Sequence, residues 1–363
     1  MGGALVMALS QLGSIHALEQ TRGVSFWRRW LGREPGSEDT VGRVAAQLEV
    51  ETLRKLLRNL YSRLKRNKAL QARKGGLLAV IVDGHEVSAS YKRCCAHCLS
   101  REIRTGERVR RQYYHRLVMA MLSGGDFPLL LDVELQRPGE DEGTCALRLL
   151  ERIQEQYPRA FDLIMGDALY AQARVFQFAL RHGKHALCVL KDERRDLMAD
   201  AKALMQLEQP ALFQSGRISR QCWDIEHLRT WSSLGSPVRV VRSLETTTPA
   251  GDAAPATSEW FWVSTIPAKL LPLDRFPGMA HDRWDIENQG FNELATYWHA
   301  DHVYKHDANA IIVFWLVTML AYNLFHAFRS RNLKPPLRFR FTKLRLAEFM
   351  KAELLLGKPR APS

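Results

Sequence analysis

Two apolar runs constrain this chain most: LLAVIVD at 77–83 and FDLIMGD at 161–167, each closing on an aspartate. Short apolar runs bounded by turn residues are the pattern of strands covered on both faces. Around them the sequence keeps alternating. YYHRLVMAML (113–122) and FPLLLDVEL (127–135) flank Ser-Gly-Gly-Asp and read as a hairpin of the same sheet. GTCALRLLERIQEQY (143–157) and AQARVFQFALRHG (171–183) have helical periodicity, and HALCVLK (185–191) is a further strand. This order predicts an α/β fold with a mixed sheet flanked by helices.

Beyond residue 191 the character changes. VRVVRSL (238–244) and EWFWVST (259–265) read as strands, with the polar turn stretch TTTPAGDAAPATS (246–258) between them, so a β-rich insertion is expected. MAHDRWDIENQGFNELATYWH (279–299) reads as a helix despite Gly290. Ile311–Phe328 is 18 residues without a charge. At about 1.5 Å rise per residue it nearly reaches across a ~30 Å hydrocarbon layer. Thr318, Tyr322, Asn323 and His326 within it, and the lack of a second such span, point instead to a buried core helix and no membrane partner. The expected organisation is a basic helical DNA-binding region at 1–75, a catalytic core at 76–191, the β-rich insertion at 192–275, the last core helices at 276–330, and a basic tail at 331–363 with a short helix at 342–356.

Charge sharpens the expected partner. Lys and Arg number 52 against 39 Asp and Glu, a net charge of +13. Residues 1–75 hold 14 basic against 6 acidic residues, and 329–363 hold 10 against 2, so the centre is slightly acidic. An acidic polymer gripped by basic ends fits that distribution, and double-stranded DNA is the partner it favours. The segment 41–70 spaces apolar residues helically with Arg54, Lys55, Arg58, Arg63, Lys65, Arg66 and Lys68 between them. Of these, Lys55, Arg58, Lys65 and Arg66 are the expected DNA contacts; a solvated helix face is the plain alternative. Hydrophobic residues at 46% and charged residues at 25% are ordinary for a globular chain. The six cysteines do not form a secreted framework, and the opening MGGALVMALSQLG has no basic flank of a signal peptide, so a reducing cytoplasm is expected.

A carboxylate at the end of a buried strand is costly unless it meets a cation or a donor. Asp83 and Asp167 repeat that arrangement, which points to a shared site for a hard, oxygen-loving ion such as Mg²⁺. A third acid comes from 279–299, where Arg283 and Glu287 stand one helical turn apart with Ala280 and Leu294 near the same line. A capped or turn aspartate, and a helical Arg–Glu salt bridge, are the structural alternatives for these residues.

With these residues the chain resembles bacterial insertion-sequence transposases of the DDE class, which have an RNase H-like catalytic fold. The resemblance covers about 77–330 and rests on VDG at 82–84, GDALY at 166–170, the β-rich insertion, and RWDIEN at 283–288. The last matches the Y-x2-R-x3-E-x6-K signature at Arg283 and Glu287 and departs from it at Ala280 and Leu294, with Tyr297 and Lys305 as nearby replacements. The resemblance implies metal-dependent strand cleavage and strand transfer with two Mg²⁺ or Mn²⁺ ions. Asp83 would bridge the ions, Asp167 and Glu287 would each hold one, and Arg283 would orient a phosphate. Asp285 and Glu293 are rivals for the third acid. The resemblance further implies a homodimer or larger assembly on paired DNA ends, in a bacterial cytoplasm at the nucleoid. The alternatives are a transposase-derived DNA-binding protein without activity and a metal-dependent nuclease.

Two groups of residues stand outside that scheme. RCCAHCLSR gathers Cys94, Cys95 and Cys98 with His97. It reads as reduced structural cysteines in a basic excursion between strands, with structural zinc as the other reading and His85 or His115 available to complete it. Trp223, Trp231, Trp260, Trp262 and Trp284 read as packing residues, except that Trp284 beside Arg283 could stack on a DNA base.

Overall fold

The computed structural model describes residues 1–73, 76–191, 195–249 and 254–356. Residues 74–75 of the basic loop before the first strand, 250–253 of the polar turn stretch and 357–363 of the basic tail lie outside the described residues. In chain order the elements are α1 (Gly2–Leu9), α2 (Ile15–Glu19), α3 (Ser25–Leu31), α4 (Glu38–Gln47), α5 (Val50–Arg66), β1 (Ala79–Ser90), β2 (Leu99–Thr105), β3 (Arg108–Ser123), β4 (Leu129–Leu135) and α6 (Glu142–Gln156). Then come β5 (Leu163–Gly166), α7 (Ala173–Arg181), β6 (His185–Val189), α8 (Arg195–Met205), β7 (Ala211–Ser215), β8 (Ile218–Leu228), β9 (Val238–Thr247) and β10 (Ala256–Ser264). The chain closes with α9 (Phe276–His281), α10 (Asn292–Trp298), α11 (Ala308–Arg331), α12 (Pro335–Arg340) and α13 (Lys343–Leu356). The strands are mixed parallel and antiparallel with helices packed on them, which is the α/β arrangement expected of an RNase H-like fold.

The chain divides into two units. One comprises Met1–Gln71, Asp83–Tyr157 and Asp285–Ser363; the other comprises Ala72–Val82 and Pro158–Trp284. In the first, β2 and β4 each pair antiparallel with β3, the β3–β4 ladder shifting register between Ala120 and Met121. Helix α6 starts where the Asp141 side chain accepts from the Thr144 N–H at 2.7 Å. It lays Cys145, Ala146, Leu149, Leu150 and Ile153, an i, i+1, i+4, i+5, i+8 stripe, against β3 and β4.

The cationic 41–70 segment is two helices, broken at Leu48, whose ψ of 133° is extended. Helix α5 turns Leu53, Leu57, Tyr61 and Leu64 inward against α11 and β4. Lys55, Arg63, Lys65 and Arg66 stay exposed on its other side. Arg54 departs from the cationic surface. Its guanidinium meets both oxygens of Asp132 at 3.1 Å, Arg152 reaches the same carboxylate at 2.5 Å, and Asp132 is wholly buried.

Helix α11 is the element long and apolar enough, among the described residues, to cross a membrane by length and composition alone; 78% of its most apolar window is buried in protein. Helices α1, α4 and α5 and strand β4 cover it. Its polar residues explain why it is built for a protein interior. The Asn323 amide donates to the Leu130 carbonyl at 2.7 Å and accepts from the Leu130 N–H at 2.9 Å, taking the place of a strand neighbour on β4. The Nε2 of His326 lies 2.8 Å from the Glu293 carboxylate.

In the second unit the strand order is β1-β5-β6-β10-β9-β8-β7, with β1, β5 and β6 parallel and the rest antiparallel. The β-rich segment therefore continues the strand row from β6 through β10. Helix α7 packs Val175, Phe176, Phe178 and Ala179 inward, against β6 among others, and α8 lies on β8. Strands β2, β7 and β8 had no apolar signature in the sequence. Charged and polar residues fill most of β2, exposed and half-buried positions alternate along the start of β8, and β7 is only Ala-Leu-Phe-Gln-Ser, so β2, β7 and the start of β8 lie largely in solvent.

Candidate active site

Asp83, Asp167 and Glu287 are each half-buried. Strands β1 and β5 pair parallel with Ala79 opposite Leu163, Val80 opposite Ile164 and Ile81 opposite Met165. Asp83 and Asp167 each follow that last pair by two residues along their own strands, and both are half-buried. The Asp83 Oδ1 accepts from the Gly84 N–H at 2.9 Å. Asp167 caps a single 3-10 turn, its Oδ1 accepting from the Leu169 N–H at 2.8 Å.

A glycine adjoins each aspartate for a steric reason. A Cβ on Gly166 would lie 2.6 Å from the Tyr170 ring, and one on Gly84 would lie 2.4–2.5 Å from the Glu142 carboxylate. Glu142, at the start of α6, is thus pressed against the backbone beside Asp83, with Arg116 2.6 Å from its outer oxygen. No local pattern marks Glu142, which lies just before the helical stripe read at 143–157 and 58 residues from Gly84.

The segment around Glu287 is helical but not regular. Helix α9 passes into a 3-10 turn at Asp282–Trp284, then a π-helical turn at Ile286–Phe291, then α10. The wide turn, a form frequent at functional sites, carries Glu287 half-buried. Tyr322 on α11 donates its hydroxyl to the Gln289 carbonyl at 2.6 Å, and Gly290 lets the backbone approach Met119, whose Cε would lie 2.9 Å from an added Cβ. The equal-step helix assumed from the sequence is therefore replaced by three windings.

The rival acids have other employment. Asp285 accepts from the Ser123 hydroxyl at 2.7 Å and the Gln289 amide at 2.6 Å. Glu293 is buried between His326 and Lys343. Burial works against its charge, but His326 and Lys343 outweigh it and hold the carboxyl below its ordinary range. The signature departures are core residues: Ala280 is 2% exposed and Leu294 is 0% exposed. Neither position reaches solvent, so neither contacts a nucleic acid.

Arg283 and Asp167 share a neighbour in the second unit. Burial pushes the Cys188 thiol strongly up, the Asp167 charge adds to that shift, and Arg283 opposes it. The Arg283 guanidinium lies 5.9 Å from the Trp284 ring centroid. Trp284 stacks on His281 at 4.8 Å and meets Trp260 edge-on at 5.1 Å, so its indole belongs to an aromatic group. Trp231 and Trp262 are buried, as expected of packing residues. Of the expected DNA contacts, Lys55, Lys65 and Arg66 are exposed, Lys65 lying 5.6 Å from the Tyr61 ring centroid, while half-buried Arg58 pairs with Glu51 at 2.5 Å.

Asp83, Asp167 and Glu287 offer only carboxylate oxygens, a donor set that fits Mg²⁺ or Mn²⁺. A chemically opposite set stands elsewhere in the first unit. Cys95, Cys98, His115 and His306 bring their ligand atoms within 4.8 Å of one another. Of the cluster read from the sequence, Cys94 is exposed and neither it nor His97 belongs to this group. His85 is engaged elsewhere, 2.7 Å from Asp301 and stacked on Phe291 at 4.5 Å. His306 had no local signal, being 208 residues from Cys98. Burial, then His306 and His97, push His115 down to about 4.

The family model described as the transposase DDE domain matches residues 74–324. No curated protein matches the chain.

Proposed function

The chain belongs to the transposase DDE domain family, and from that premise we propose that it cuts and rejoins DNA at the ends of an insertion sequence, with Asp83, Asp167 and Glu287 as the catalytic acids. Membership makes it a DNA-binding transposase, a phosphoryl-transfer enzyme of a class that uses divalent metal ions. The assignment of residues, the Mg²⁺ or Mn²⁺ identity, the two-ion count and the assembly of two or more chains on paired ends are our reading.

The observation that carries the residue assignment is the β1–β5 register. Asp83 and Asp167 each follow the Ile81–Met165 pair by two residues, the first within the longer β1 and the second just past the end of β5, and each is followed or preceded by a glycine that a side chain could not replace without displacing a neighbour. The three carboxylates would hold the ions through oxygen. When bound, the ions supply nucleophile activation and stabilisation of the leaving oxygen. Arg283 presents a planar fork of donors that orients a phosphate oxygen pair. Exposed Lys55, Lys65 and Arg66 neutralise backbone phosphates away from the reacting bond, with Arg58 beside them. Water and a DNA 3′-hydroxyl are alternative nucleophiles for the same acids, so nicking and joining need no second site. Such an enzyme works where chromosomal DNA is, in the bacterial cytoplasm.

The test is cleavage of a supercoiled plasmid carrying the element's own ends, with Mg²⁺ or Mn²⁺, against a plasmid lacking the ends. Metal-dependent nicking at the ends, lost in Asp83→Asn, Asp167→Asn and Glu287→Gln, is the expected result. Cleavage that survives Glu287→Gln overturns the third acid. Equal cleavage of the plasmid without ends favours a general nuclease, and binding without any cleavage favours a DNA-binding derivative.

A further inference from the structure

We propose that Cys95, Cys98, His115 and His306 form a structural zinc site. The four donors come from three places: the turn between β1 and β2, the middle of β3, and the stretch leading into α11.

Four of the six distances among the ligand atoms match a tetrahedron's edges, and the other two are within 4.8 Å. With Zn–S near 2.3 Å and Zn–N near 2.0–2.1 Å, tetrahedral geometry requires edges of about 3.8 Å between sulfurs, about 3.5 Å between sulfur and nitrogen, and about 3.3 Å between nitrogens. The Cys95 and Cys98 sulfurs are 3.7 Å apart. Each lies 3.4 Å from the His115 Nε2, and Cys98 lies 3.3 Å from the His306 Nε2. A disulfide is excluded as the reason for the sulfur pairing, because that bond is about 2.05 Å long.

The backbone around the sulfurs suits thiolates. The Cys98 N–H donates to the Cys95 carbonyl at 3.1 Å, closing the turn, and the Cys95 N–H points at the Cys98 sulfur at 3.2 Å. An N–H aimed at sulfur favours the charged form that a metal needs. His115 is 1% exposed, so its ring reaches the group from inside the first unit, while the turn itself is mostly exposed. Two thiolates and two neutral imidazoles balance a divalent ion, and a soft S₂N₂ set selects zinc over the Mg²⁺ or Mn²⁺ that carboxylates prefer.

Four protein ligands leave no open position, which marks a structural and not a catalytic site. What it secures is definite. Exposed residues 91–94 carry almost no apolar anchor, yet they lead into the β2–β3 hairpin with its Arg101, Arg104, Arg108, Arg110 and Arg111. One ion would fasten the base of that basic hairpin to β3 and to the start of α11, closing a loop of some two hundred residues.

The test uses the full chain, expressed in zinc-supplemented medium and washed with a weak chelator before elemental analysis. About one zinc per chain is expected, with content falling roughly tenfold or more in Cys98→Ser and in His306→Ala. Cys94→Ser, His97→Ala and Asp83→Asn should keep it, which separates this site from the catalytic acids. Because a ligand variant can simply misfold, the wild-type chain is also stripped and refilled with Co²⁺. Thiolate-to-cobalt charge transfer and tetrahedral d–d bands, both reversed by zinc, are the expected signature. Absence of zinc together with absence of that spectrum, zinc retained in Cys98→Ser, or a stoichiometric metal other than zinc each overturns the proposal.

Discussion

Tyr322 donates its hydroxyl to the backbone carbonyl of Gln289 at 2.6 Å, two residues after the proposed catalytic glutamate. Gln289 lies in the π turn at Ile286–Phe291, and this phenol brings its carbonyl a donor from α11. Tyr322→Phe keeps the ring and removes the donor. Leaving a buried carbonyl unsatisfied costs about 1–3 kcal/mol. We expect a lower melting temperature and a fall in end cleavage at fixed DNA affinity. Equal loss of binding and cleavage would show a general folding effect instead.

Gly84→Ala places a methyl group against the Glu142 carboxylate, which must swing away from Arg116 or displace the part of β1 that holds Asp83. Cleavage should fall at least about tenfold, which corresponds to roughly 1.4 kcal/mol of lost transition-state stabilisation. Adding Glu142→Ala makes room for the methyl, and the double variant should recover part of the activity. A double variant no better than Gly84→Ala would assign the glycine some role other than clearance.

Basic residues on α5 divide into two kinds, and binding assays should separate them. Lys65→Ala and Arg66→Ala should weaken DNA binding across all sequences and reduce the salt slope by about one each, with the melting temperature unchanged. Asp132→Ala instead removes the buried carboxylate that Arg54 and Arg152 share, leaving them only Glu134 as an acidic partner, and should destabilise the chain by up to about 3–5 kcal/mol. Urea unfolding distinguishes the two classes.

Acid should destabilise the protein in two stages. His326 has its proton affinity lowered by burial, only partly offset by Glu293, so the unfolded chain takes up that proton first. Stability therefore begins to fall as pH drops below about 6.5. Glu293 and Glu245 are held below the ordinary carboxyl range. Burial opposes this, but His326 and Lys343 outweigh it for the first, and His281 and Arg220 for the second. Their contribution is complete above the unfolded carboxyl range and is lost as pH falls through the lower folded values. Melting temperatures from pH 7.5 to about 2.5 should show both declines, and His326→Gln should shrink the first, to which His115 and His306, also lowered by burial, contribute. A flat profile between pH 7 and 5 in the wild type would contradict this.

Local pattern carried most of the fold into view. The buried strands β1, β5 and β6 announce themselves by apolar runs, α6 and α7 by their stripes, and α11 by its uncharged length. Strands β2 and β8 escaped because half their surface is wet and their residues are charged. The site was legible to the extent that it is local. Asp83 and Asp167 close visible apolar runs, although β1 continues past Asp83 to Ser90, and Arg283 and Glu287 are four residues apart. What stayed hidden depends on residues far apart in the chain: Glu142 beside Gly84, Tyr322 under Gln289, and His306 beside Cys98. The π turn was also invisible, since its cause is packing against β3 and α11 and not the composition of its six residues.

The covering of α11 by helices from the opposite end of the chain sets an order of events at the ribosome. Helices α1, α4 and α5 emerge first, and the apolar faces they turn toward α11 stay uncovered until residues 308–331 are made. At ~5–20 residues per second that wait from α1 is on the order of 15–60 s. For that interval the nascent chain must be shielded or remain loose, and a message broken before residue 308 yields helices that never find their cover. A gene copy truncated at its 3′ end should thus produce a protein removed by proteolysis or aggregation, not one that lingers on DNA as a competitor of the full-length chain.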